Sequence, residues 1–148
     1  MFLKNKYFFV KLKGGIGNQI FILFFAMIIS RHKSHKLIID MNSGFFYDKY
    51  SRRPEIQKIF KNLNNFFLFH NYKLLSKFFW KSLFVFNKFI YKNKFYYNDD
   101  KIDNTYLSYN KFKKKYIFFD GYWQSLDFNR FNNFLKKKFI LSINSIEF

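Results

Sequence analysis

The sequence predicts an α/β fold on parallel strands, and three observations predict it. "YFFVKL", residues 7–12, is a short aromatic and β-branched run suited to a buried strand. "KGGIG" follows as a glycine turn, and the apolar stretch after it recurs at three- and four-residue steps, as a helix does. "KLIID", residues 36–40, is a second short apolar run. Strand, turn, helix and strand form one βαβ unit, whose strands are parallel and whose crossover is right-handed.

The elements follow in order. The first helix is expected from Asn18 to about Ser34, with Ile20, Leu23, Phe24, Met27 and Ile28 on its apolar face. Residues 41–60 read as irregular, with a break at Pro54. Residues 72–92 place apolar side chains at helical spacing between lysines, the pattern of an amphipathic helix. Residues 93–105 read as a polar loop. "YIFFD", 116–120, is a further strand, "GYWQS" a turn, and Asp127 to Lys138 a helix capped by Ser125 or Asp127.

A chain of 148 residues suits a single domain, 1–148. Its 49% hydrophobic content excludes a disordered chain. The absence of Cys excludes disulfides and thiolate metal sites. The apolar run Ile20–Ile29 is about half of a membrane span, and no signal-peptide pattern opens the chain. The expected location is therefore cytoplasmic, with at most a peripheral, charge-held contact at an anionic membrane face. That contact is suggested by a net charge of +18. The acid cluster Asp99, Asp100 and Asp103 sits beside Lys101, as solvated loop carboxylates do. His32 and His35 are expected one turn apart near the end of the first helix and lack a third ligand, so no metal is expected.

Gly14, Gly15 and Gly17 let the backbone approach a ligand closely, and the helix start behind them offers free N–H groups to a diphosphate. One reading is a dinucleotide fold. Gly15-Ile16-Gly17 gives half of its glycine fingerprint, and Asp40 ends the second strand near the expected distance. Ile20, however, occupies the third glycine position, and Asn18 and Gln19 have no task in that scheme. Another reading is a basic module that stacks single-stranded nucleic acid on its aromatics. Aromatics in strands and on helical faces are better explained as core, so nucleic acid is not an expected partner.

"GGIGNQIF", then "IIDMNSGFF", and far downstream "YIFFDGYWQS" ahead of a helix together resemble the bacterial α-1,2-fucosyltransferases of glycosyltransferase family 11. The matching positions are Gly14, Gly15, Gly17, Asn18, Gln19 and Phe21; Asp40, Ser43 and Phe45; and Phe119, Gly121, Tyr122, Trp123 and Gln124. The resemblance implies the Rossmann-like N-terminal half of a GT-B-type glycosyltransferase, on the acceptor side. It covers about the first half of such an enzyme. The family's His-x-Arg-Arg-x-Asp motif, which supplies arginine charge to the donor diphosphate, lies beyond the region matched, and Arg52-Arg53 is not that motif. A chain truncated before the donor-binding half is expected to be impaired alone.

The implied reaction transfers fucose from GDP-fucose to a galactose-type hydroxyl of a glycan acceptor in α-1,2 linkage, with no metal or other cofactor. Gly14, Gly15, Gly17, Asn18 and Gln19 would then line the donor cleft. Asp40, Asp120, Tyr122, Trp123 and Gln124 would meet the acceptor, the aromatic faces stacking on sugar. No residue is assigned as catalytic base.

Overall fold

The computed structural model describes residues 6–29, 35–46, 48–59, 68–70, 78, 81–82, 85–86, 95–98, 114–124 and 133. Strand β1 (Lys6–Lys13) leads through the glycine turn into helix α1 (Ile16–Ile29), which returns to β2 (His35–Gly44). A single turn, α2 (Ile56–Ile59), and β3 (Leu68–His70), β4 (Tyr96–Tyr97) and β5 (Tyr116–Phe119) follow. The five strands form one sheet in the order β3-β2-β1-β5-β4, and every pairing is parallel. The fold is thus α/β, with β1 at the centre.

Alternation along β1 sorts its side chains. Phe8, Val10 and Leu12 are buried on the face that meets α1, together with Ile39 of β2 and Ile117 and Phe119 of β5. Phe9 turns to the other face and packs with Phe95, Tyr96 and Phe118. Helix α1 is buried almost all round: Ile22, Leu23, Phe25, Ala26, Met27, Ile28 and Ile29 are all core. Ile20 and Phe24, expected on the buried stripe, are only partly buried. A helix that is apolar on every side carries no periodic signal to orient it, so contact with the sheet made the choice.

The structure moves several boundaries. Helix α1 begins at Ile16 rather than Asn18, because the Gln19 amide donates to the Gly15 carbonyl (3.0 Å) and makes Gly15 the cap. The expected end of the helix near Ser34 lies outside the described residues, and His35 belongs to β2 instead of a helix end. Its ring stacks on Phe8 with centroids 4.0 Å apart. Tyr96 and Tyr97 form a buried strand inside what reads as a polar loop, where Asn and Asp neighbours obscure a two-residue element. Of the helix expected over 72–92, residues 78, 81–82 and 85–86 are helical, and the remainder lies outside the described residues. The helix expected from Asp127 to Lys138 also lies outside them, apart from residue 133, which is helical.

The β1–β2 ladder is irregular at its end. Lys11 pairs with Asp40 and Lys13 with Gly44, so β2 covers four residues while β1 covers two. Asp40 stabilises this excursion: its carboxylate accepts hydrogen bonds from the amides of Asn42 (2.9 Å) and Ser43 (3.1 Å) and from the Ser43 hydroxyl (2.5 Å). Gly44 closes it. A Cβ there would lie 2.0 Å from the Leu12 carbonyl oxygen, so the two backbones touch only because residue 44 has no side chain.

Candidate functional site

Parallel strands end together, and ligands of open α/β sheets settle at that edge, where neighbouring connections diverge. Here the chain leaves β1 through Gly14 and Gly15 toward α1, and β5, on the other side of β1, ends in Asp120-Gly121-Tyr122-Trp123-Gln124. The two exits meet. Gln124 Nε2 donates to Asn18 Oδ1 (2.5 Å), and Lys13 Nζ lies 4.5 Å from the centre of the Tyr122 ring. Gly14 adopts φ +78°, a left-handed conformation that suits glycine. A Cβ at Gly14 would fall 2.7 Å from Asn18 Nδ2 and 2.9 Å from Tyr122 Cε1. Gly14, Asn18, Tyr122 and Gln124 therefore form one rim over the start of α1. Gly15 lies beside it, with Arg52 Cδ 3.9 Å from where its Cβ would be.

Gly17 differs from Gly14. It is exposed in the first turn of α1, and a Cβ there would meet nothing within 4 Å. The fold does not require glycine at this position. The amides of the first helical turn, at Ile16, Gly17 and Asn18, face no carbonyl of their own helix and carry the positive end of its dipole.

Gln19 corrects the expectation that both carboxamides face the cleft. It is 0% exposed. Its Nε2 donates to the carbonyls of Gly14 (3.0 Å) and Arg53 (2.9 Å), and its Oε1 accepts from the amides of Glu55 (2.9 Å) and Ile56 (3.2 Å). The side chain is a bracket that fastens the 53–56 segment to the glycine turn. Trp123 is a second correction. It too is 0% exposed, stacked on Phe25 of α1 at 4.1 Å, so its ring is core rather than a platform for a sugar. Trp123 holds φ +60°, a conformation costing roughly 1–2 kcal/mol for a residue with a Cβ, which complete burial of the indole offsets.

Asp120 is mostly buried at the end of β5. One oxygen accepts from Lys13 Nζ (2.9 Å), and the other from Lys11 Nζ (3.0 Å) and the Tyr96 hydroxyl (2.6 Å). Burial works to raise its pKa, but the two ammonium groups and the tyrosine hydroxyl outweigh that and hold it below the ordinary aspartate value. The same cluster pushes the Tyr96 hydroxyl well above the usual phenol range, by burial first and then by the adjoining carboxylate. Lys11, Lys13 and Tyr96 belong to no motif in the sequence. Alternation in "YFFVKLK" does put Lys11 and Lys13 on one face, opposite Phe8 and Val10, whereas Tyr96 arrives through pairing of β4 with β5.

Asp40 is spent on its own turn and does not join the rim, although its Cα pairs with that of Lys11 on the β2 side. Near the start of α1, Arg52 lies over the Tyr50 ring (4.4 Å) and approaches Asp48 at 3.4 Å. Among the described residues, no group of three or more His, Asp or Glu could hold a metal ion. No family model, curated protein or solved structure matches the chain.

Proposed function

We propose that the chain is a sugar-nucleotide transferase domain of the α-1,2-fucosyltransferase kind, with the Rossmann-like half of a GT-B architecture. Its donor is GDP-fucose and its acceptor a galactose-type hydroxyl of a glycan. The observation that carries this reading is Gly17. A glycine that the fold does not need, at the exposed start of a helix and beside Asn18, is explained by a ligand that must come close to the backbone. A diphosphate fits there: amide donors, the helix dipole and the nearby Lys13 all favour negative charge. The Asn18–Gln124 pair and the Tyr122 face supply polar and stacking contacts at the rim. Gly15, Gly17 and Asn18 keep donor-side roles in this reading, and Tyr122 and Gln124 acceptor-side ones; Gly14, expected in the donor cleft, is instead buried beneath Asn18 and Tyr122 and shapes the turn. Gln19 and Trp123 support the wall from behind.

Neither acid near the site is suited to deprotonating an acceptor. Asp120 is held ionised by two lysines, which weakens it as a base, and the Asp40 oxygens serve the Asn42-Ser43 turn. In the dinucleotide reading, Asp40 would instead bind ribose hydroxyls, which requires that turn to release it.

Titration of the chain, joined to a segment bearing His-x-Arg-Arg-x-Asp, with GDP-fucose, followed by ligand-observed NMR, tests the proposal. Gly17→Ala is expected to leave the unfolding midpoint unchanged or slightly raised, since alanine is the better helix former by about 0.5–1 kcal/mol. It is expected to weaken GDP-fucose binding about tenfold, a loss of roughly 1.4 kcal/mol. Equal binding by the two proteins, or Gly17-dependent binding of NADH and not of GDP-fucose, overturns the reading. Fusion to a segment bearing His-x-Arg-Arg-x-Asp is expected to yield fucose transfer that Gly17→Ala impairs.

A further inference from the structure

We propose that a second surface, independent of the donor reading, docks on an anionic phospholipid bilayer: the helical face carrying Phe78, Lys81, Ser82, Val85 and Phe86. These residues are helical and exposed, and their three- and four-residue spacing puts them on one side. Phe78 is 76% exposed, Phe86 52% and Val85 45%. Isolated exposed apolar residues are ordinary, but the solvent side of a helix is normally polar, and a row of them on one face marks a contact surface.

Charge selects the occupant. From residue 56 to residue 98 the chain has eight lysines and neither Asp nor Glu; all nine acids lie before or after this stretch. A long acid-free basic segment is drawn to a sheet of anionic headgroups, at about 1 kcal/mol for each lysine near the surface. Phe side chains beside Lys81 then bury apolar area at the headgroup boundary, while the ammonium stays with phosphate. An acidic protein or a nucleic-acid duplex would satisfy the lysines without using the phenylalanines, and a single strand would stack bases on the rings without needing Val85. Lys73, Lys77, Lys81, Lys88 and Lys92 interrupt the apolar runs of this segment, the pattern of a helix lying in the interface and not of one crossing it.

Co-sedimentation with phosphatidylcholine vesicles, with and without phosphatidylglycerol, tests this. The wild-type chain is expected to sediment only with the phosphatidylglycerol vesicles and to be released in part by high salt. Phe78→Ser with Phe86→Ser is expected to weaken binding about tenfold, and Lys81→Glu roughly fivefold, from lost burial and reversed charge respectively. Both sites are solvent-exposed, so circular dichroism and the unfolding midpoint are expected to match the parent. The proposal is overturned by vesicle binding that ignores the Phe substitutions or the lipid charge. It is equally overturned if the stripe governs self-association or oligonucleotide binding while vesicles are ignored.

Discussion

Gln19→Ala is expected to lower the unfolding free energy by about 4 kcal/mol or more, a large share of the roughly 5–15 kcal/mol that holds a domain folded. The side chain is wholly buried and satisfies two carbonyls and two amides from two separate segments. Truncation leaves all four without that partner, each at about 1–3 kcal/mol if water cannot enter. It also frees the 53–56 segment from the glycine turn, and with it Ile56, a core residue. Gln19→Glu is expected to be as severe. Its oxygens could still accept from Glu55 and Ile56, but they would oppose the Gly14 and Arg53 carbonyls and bury a charge. Urea unfolding monitored by tryptophan fluorescence reads both. A Gln19→Ala protein with a normal midpoint and lost ligand binding would place the carboxamide in the cleft after all.

Asp120→Asn is expected to cost about 2–3 kcal/mol at neutral pH. The upper range for breaking a buried pair is reduced because the side chains of Asp120, Lys11 and Lys13 retain some exposure. Two ammonium groups would remain side by side without their counter-charge, on strands at the centre of the sheet. The effect has a defined pH signature. The folded carboxylate titrates below its unfolded value of about 4, so its contribution is complete above that value and disappears as pH falls through the folded pKa. The difference in melting temperature between parent and Asp120→Asn is thus expected to be constant from pH 7 down to about 5 and to shrink below about pH 4. A gap that persists unchanged into acid would mean that the pairing with Lys11 and Lys13 is not what stabilises the protein.

The two carboxamides show where reading the sequence stops. Asn18 and Gln19 are adjacent, chemically alike and both at a helix start, and nothing local separates them. On a helix, neighbours point about 100° apart, so one meets solvent and the other the interior. Which one does so depends on how α1 is rotated on the sheet, and an all-apolar helix conceals that rotation. The Trp123 ring has the same history: Tyr122-Trp123 offers two candidate platforms, and the turn after β5 sends the second under α1.

By itself the sequence determined the βαβ start, the parallel α/β class and the place of the glycine turn. These follow from local periodicity and from glycine's tolerance of positive φ. Tertiary structure alone decided that Gln19 clamps residues 53–56, that Asp120 gathers Lys11, Lys13 and Tyr96, and that Tyr96-Tyr97 forms a strand. Each joins groups far apart in the chain, and their meeting depends on strand order and helix rotation, which no local pattern encodes.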